Sequence, residues 1–229
     1  MIEFYGGYQV YSESGIDLTL LREALKHSTT DRIEQNCRAL PLLMELDRES
    51  RKRSPWLRDR PRLIMLDPAS LLRLLHNEHV DFVLVGGLAM VAHGSAHITR
   101  DLDICYSRAP DNLKILAAAL APAHPYLRGA PPGLPFQLDA ATLQAGLNFT
   151  LTTDFGWMDL IGEVSGVGSY ESVVAESAEQ ELYGFRLRVL SLDGLIAAKR
   201  AASRPKDQTH LLELEELKKL RGEAQGDNV

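Results

Sequence analysis

One stretch restricts this chain more than any other: DFVLVGGLAMVAHGSAHITRDLDICY, residues 81–106. DFVLVG is apolar and β-branched, as a buried strand is. Gly86-Gly87 forms a turn, and LAMVAHG reads as a short helix ended by Gly94. DLDICY alternates polar and apolar side chains, the pattern of a half-buried strand. Strand, glycine turn, helix and strand in so short a span demand a mixed α/β arrangement. On a strand, residues i and i+2 point to one face, so Asp101 and Asp103 project together, and Cys105 shares their parity. Two carboxylates so close repel unless a cation lies between them. Mg²⁺ suits that place, because it takes hard oxygen ligands and commonly combines one or two carboxylates with substrate phosphates. The glycines let a backbone approach a phosphate and expose amide donors, and the following helix N-terminus favours an anion.

The flanking pattern extends this unit. Residues 1–15 read as irregular. GIDLTLLREALKHS and TTDRIEQNCRALPLLMELDRES read as helices, with Ser28 to Asp31 as the break between them and Pro41 as a candidate kink. RKRSPWLRDRPR, residues 51–62, reads as a basic linker. Asp67-Pro68 opens a helix, and PDNLKILAAALA forms another. Residues 122–136, rich in Pro and Gly, read as a loop. LNFTLTT and FGWMDLIG are strands joined at Asp154. YESVVAESAE reads as helical, LYGFRLRVLS as a hairpin or late strand, and LDGLIAAKRAAS and KDQTHLLELEELKKL as closing helices. The expected fold class is α/β (α+β): a small mixed β-sheet flanked by helices, with an N-terminal helical arm. The division is 1–62 for the arm and basic linker and 63–229 for the main domain.

Asp159 in FGWMDLIG supplies a third carboxylate on a strand expected to neighbour the Asp pair, sharing a face with Trp157 while Met158 and Leu160 share the other. Three carboxylates with two metals would serve an in-line phosphoryl displacement. Asp159 would also accept the proton of an acceptor hydroxyl. Bland alternatives stand beside each reading. Gly86-Gly87 can be a plain strand-to-helix turn, and the Asp pair or Asp159 a solvated sheet edge. His76 and His79 have metal-like spacing without an apparent third ligand. His93 and His97 flank the loop before the Asp pair, and Cys105 can be a buried filler.

Charge and composition narrow the function classes. The 229-residue chain carries a net charge of −6, which argues against a dedicated high-affinity nucleic-acid binder. Residues 1–62 carry +1 and the remainder −7, with seven basic residues between Arg48 and Arg62. That basic run is a solvated linker or a contact for a phosphate-rich partner such as tRNA. Two cysteines, Cys37 and Cys105, exclude a disulfide framework and a four-thiolate zinc site. Reduced thiols, and an N-terminus without a basic or apolar leader pattern, suggest a cytoplasmic protein. No run of about 18 apolar residues occurs, so no membrane span is expected.

At these residues the chain resembles a known family. Gly86, Gly87, Ala89 and Gly94, then Thr99, Asp101, Leu102, Asp103 and Ile104, are similar to the nucleotidyltransferase superfamily of DNA polymerase beta type. Small bacterial members, including the AbiE-type toxin nucleotidyltransferases, show the nearer likeness. In SLDGLIAAKRAASRPKDQTHLLEL, Lys199, Arg204, Lys206 and Asp207 resemble that group's helical motif. The likeness spans about residues 67–220. It implies a nucleotidyltransferase-like fold and transfer of a nucleoside monophosphate from a nucleoside triphosphate to a hydroxyl-type acceptor. Gly86 and Gly87 would hold the triphosphate, with Thr99 and Arg100 beside them. Asp101, Asp103 and Asp159 would bind Mg²⁺, two ions in all. Lys199 would reach the triphosphate as a point charge, while Arg204, Lys206 and Asp207 would shape the nucleotide or acceptor side. For Lys199, Arg204 and Lys206 the alternative is a solvated helix face, and for Asp207 the N-cap or first-turn acid of the last helix. Many members have Gly-Ser where this chain has Gly-Gly. The acceptor would be tRNA, a protein side chain or a small hydroxylated compound such as an antibiotic.

A reading from another class makes the chain a non-catalytic binding or regulatory module. The helical arm would then meet a partner through Leu20, Leu21, Leu25, Leu40, Leu43 and Met44. A third reading makes the arm an antitoxin-like or dimerisation element fused to the enzyme, with an antitoxin or a homodimer partner meeting the chain through it.

Overall fold

A computed structural model of the chain describes residues 4–5, 8–54, 64–131 and 133–226. The first residues are not wholly irregular: β1 (Phe4–Tyr5) and β2 (Tyr8–Gln9) pair as a small antiparallel hairpin. Asp17 caps α1 (Leu18–Leu25) by accepting from the Thr19 and Leu20 amides at 2.9 and 3.4 Å. Ser28 caps α2 (Thr29–Arg53) in the same manner, with Oγ accepting from the Asp31 amide at 3.1 Å. Pro41 lies inside α2 without ending it. Its missing donor removes one backbone bond, and ion pairs one turn apart, Glu45 with Arg48 and Asp47 with Arg51, support the turns that follow. The helix therefore takes in Arg51–Arg53, the start of the expected linker. The rest of the basic run, from residue 55 to 62, lies outside the described residues.

The main sheet follows from α3 (Pro68–Asn77), which Asp67 caps through the Ser70 amide at 3.0 Å. β3 (Phe82–Val85) leads directly into α4 (Gly86–His93), closed by Gly94 in the left-handed region. β4 (Asp101–Tyr106) and α5 (Pro110–Leu120) come next. The Pro- and Gly-rich loop contains a short edge strand, β5 (Tyr126–Leu127). After α6 (Ala140–Ala145), β6 (Asn148–Thr153) and β7 (Gly156–Ile161) form the expected pair. A small hairpin of β8 (Glu163–Val164) and β9 (Gly168–Ser169) precedes α7 (Tyr170–Ala175). Here the helix stops earlier than its sequence suggests. SAEQEL is instead β10 (Ser177–Leu182), an edge strand zipped onto β11 (Phe185–Leu190) from Ser177↔Leu190 to Leu182↔Phe185. Tyr183 and Gly184 both have positive φ, 52° and 84°, the conformation a two-residue hairpin turn requires. α8 (Leu192–Ala202) and α9 (Pro205–Gly226) close the chain.

The seven strands are ordered β10-β11-β3-β4-β7-β6-β5. β11 with β3 and β4 with β7 run parallel, and the remaining neighbours are antiparallel. This is the mixed α/β architecture expected, with helices flanking a central, mostly antiparallel sheet. The arm joins the same apolar core: Ile33 and Leu40 of α2 are fully buried together with Leu84, Leu88 and Leu102. Arg32 donates to the Ala92 carbonyl at 2.6 Å, and the Tyr183 amide donates to Thr30 Oγ1 at 2.9 Å. Burying each such aliphatic side chain contributes about 1.5–3 kcal/mol. No helix among the described residues is long and apolar enough to cross a membrane.

Candidate active site

The parallel pairing of β4 and β7 puts Asp103 beside Asp159 and Asp101 beside Trp157. Met158 and Leu160 point the other way into the core, so the period of two on β7 leaves Asp159 on the open face. Asp101, Asp103 and Asp159 each present a carboxylate oxygen within 4.8 Å of the others. Thr99 Oγ1 donates to Asp101 Oδ1 at 3.0 Å, and the Gly87 amide donates to Asp103 Oδ2 at 3.3 Å. Burial first, and then the charges of Asp101 and Asp159, push the Asp103 carboxyl up to about 8. Its surface is only partly covered, but its carboxyl lies on the floor of the cleft against the glycine turn.

That turn has a steric cause. Gly86 has φ of +64°, and a Cβ there would fall 2.1 Å from Asp103 Oδ2. A Cβ on Gly87 would fall 2.3 Å from Thr99 Oγ1. A side chain at either glycine would therefore have to push Asp103 or Thr99 aside, and at Gly86 it would also strain a positive φ.

A residue absent from the sequence reading completes the cluster. Arg128, just past β5, donates from Nη2 to Asp159 Oδ1 at 2.6 Å, and its Nη1 lies 3.7 Å from Asp101 Oδ2. Its guanidinium stacks 4.9 Å above the Trp157 ring. Three hard-oxygen donors within 4.8 Å of one another fit a divalent metal by the chemistry of the donor set, and Arg128 sits against two of them. Nothing local in a Pro- and Gly-rich loop marks Arg128. The only signal is that three clustered carboxylates need a counter-charge.

The acidic cluster opens into a cleft of about 730 Å³. Gly86, Gly87, Thr99 and Arg100 line one part of it, and Lys199 and Arg204 another. Arg100 also lies over Trp157, at 5.7 Å. Asp207 does not face the cleft. It is 1% exposed and acts behind the basic residues, accepting from Lys199 Nζ at 3.2 Å and Arg204 Nε at 2.8 Å. The side chain of Lys206 lies outside the described residues. Leu43 and Asp47 of α2 also line the cleft. Asn36 of α2, in the amide orientation that satisfies both partners, pairs with the backbone N–H and C=O of Thr99 at 3.0 Å each. From α9, Glu213 accepts from Ser95 Oγ at 3.0 Å and the Ala96 amide at 2.6 Å. Both residues brace the loop leading to Asp101, and neither has a sequence motif.

The histidines divide. His97 and His210 line the cleft with ring centroids 4.1 Å apart. His93 is buried away from it, its Nε2 2.8 Å from the Leu190 carbonyl. His76 stacks on Phe185 instead of joining a metal group. Among the described residues the aspartate triad is the one group with metal-ligand geometry. Cys105 is buried in the core, and burial pushes its thiol up to about 12.

The fold and site define a class: a mixed α/β protein whose sheet carries a cluster of three aspartates paired with an arginine beside a glycine turn, in a cleft with lysine and arginine opposite. No model of a protein family matches the chain, and no curated protein does. Among solved structures it is similar to the lincosamide antibiotic adenylyltransferase LnuA, lincomycin-bound. The identity there is 12% and the TM-score 0.45, over 66% of this chain and 98% of that one. It is also similar to the antibiotic-resistance factor ANT(2'')-Ia, at 13% identity and a TM-score of 0.40, over 70% of this chain and 90% of that one. Both likenesses concern the course of the chain.

Proposed function

We propose that the chain is a Mg²⁺-dependent nucleotidyltransferase, moving a nucleoside monophosphate from a nucleoside triphosphate to a hydroxyl acceptor. The observation that carries this reading is the triad brought together by the β4–β7 register, directly beside the Gly86-Gly87 turn. When bound, Mg²⁺ supplies charge stabilisation for the attacking and leaving oxygens. Asp101, Asp103 and Asp159 would hold it. Gly86 and Gly87, with Thr99 and Arg100 near them, would border the triphosphate at the start of α4. Lys199 and Arg204 would face the phosphates as fixed cations, aligned by Asp207. Asp159 would take the acceptor's proton.

The cleft volume falls in the roughly 300–1,000 Å³ range of small-molecule sites, which suits the nucleoside triphosphate; tRNA, a protein side chain and a small hydroxylated compound are the acceptors to compare. A toxin role, an antitoxin or homodimer partner, and the cytoplasmic setting rest on the motif resemblance and cysteine usage alone. The binding-module reading is weakened by its own residues. Leu21 and Leu40 are buried in the chain's own core, and Leu25 and Leu43 pack against it.

The test is transfer of label from α-labelled triphosphates to tRNA, protein and small polyol acceptors, with calorimetry of Mg²⁺-dependent triphosphate binding. Asp101→Ala and Asp103→Ala are expected to lower turnover by a factor on the order of 10³. Absence of metal-dependent triphosphate binding by the wild type would end this reading.

A further inference from the structure

We infer that Arg128 is a built-in counter-cation of the triad, which a divalent metal must displace to reach the carboxylates. This rests on the metal-site reading above and adds an occupant to it. Arg128 holds a positive charge against two of the three carboxylates that would bind the metal. Its contacts are with the ligands themselves, Asp159 Oδ1 at 2.6 Å and Asp101 Oδ2 at 3.7 Å. The side chain is 16% exposed, a burial in which an ion pair is screened less than on the surface. Arg128 thus offsets the mutual repulsion of carboxylates that lie within 4.8 Å of one another.

The surroundings permit Arg128 to move. It follows an edge strand of two residues, anchored through its own amide to the Thr150 carbonyl at 2.9 Å. Gly129 comes next with φ of +81°. The guanidinium can therefore leave the carboxylates by rotation of a long unbranched side chain while the strand stays paired. Its departure would also change the environment of Trp157, over which it stacks.

Mn²⁺ binding to the full chain, measured by electron paramagnetic resonance, tests this. Arg128→Met keeps the bulk against Trp157 and removes the charge. It is expected to bind Mn²⁺ on the order of tenfold tighter than wild type, the scale of one ion pair no longer broken. Arg128→Lys should lie between the two. A second measurement uses the wild-type arginine: Mg²⁺ titration followed by Trp157 emission in a Trp56→Phe background. The emission should shift and saturate with the metal, and Arg128→Met should abolish the shift. Equal or weaker Mn²⁺ binding by Arg128→Met, or unchanged Trp157 emission at saturating Mg²⁺, overturns the displacement. Asp101→Ala/Asp103→Ala separates the two failures. If wild type and Arg128→Met bind no more Mn²⁺ than this variant does, the metal reading itself falls and the displacement falls with it.

Discussion

Gly86 shows how a residue acquires a reason that its sequence context does not state. A glycine pair before a helix reads as a phosphate cradle. The structure adds that Asp103 and Thr99 occupy the space where two Cβ atoms would go. A serine at position 87 would have to move the Thr99 side chain, since its Cβ would meet Thr99 Oγ1. Gly86→Ala must strain a positive φ and push Asp103 aside. A loss of about 1–3 kcal/mol is expected from the backbone alone, together with weaker Mn²⁺ binding. Urea unfolding and Mn²⁺ titration of the variant check both. The Asp101 and Asp103 pairing was legible from the two-residue period alone. Asp159 was legible as a candidate because Trp157, Met158 and Leu160 fix its face. Arg128 was not legible, because its meaning comes only from the charges across the sheet.

At the scale of elements, α2 is the clearest case. Its apolar residues identify a helix, yet their periodicity does not say which surface they cover. Ile33 and Leu40 cover α4 and the sheet, and Asn36 reaches the loop before β4. The arm thus holds part of the candidate site in place. Asn36→Ala would leave both backbone groups of Thr99 without that partner, at a cost of about 1–3 kcal/mol. Leu42→Ala, at a position 67% exposed, should change stability by less than about 0.5 kcal/mol. Paired urea titrations distinguish them, and the Asn36 variant alone should also lose Mn²⁺ affinity. β10 marks the opposite lesson. SAEQEL has little β-propensity, and it becomes a strand because the Tyr183-Gly184 turn folds it back along β11. Helix caps were local and therefore readable, as Asp67 before Pro68 shows.

For the molecule as a whole, charge acts through position. The −7 carried after residue 62 includes the triad, where a cation belongs, and Asp207, which is enclosed between Lys199 and Arg204. Stability is also tied to one buried neutral histidine. Burial, reinforced by Arg221 and Arg32, lowers His93 from 6.5 to about 4. Above about pH 6.5 the stability linked to it is fully present. Between that pH and about 4 the unfolded chain binds a proton that the fold refuses, and roughly 3 kcal/mol is lost. Thermal unfolding from pH 7.5 to 4.5 should show this decline, and His93→Gln should flatten it. An undiminished slope in the variant would place the titration elsewhere. The sequence by itself determined the strand–turn–helix–strand unit, the paired carboxylates, the caps at Ser28, Asp67 and Gly94, and the mixed α/β class, because each depends on local periodicity and backbone preference. Only the tertiary structure decided the β4–β7 register, the enclosure of Asp207, the packing of the arm and the seat of Arg128. Those depend on which distant segments meet, and burial and charge settle that together across the whole fold.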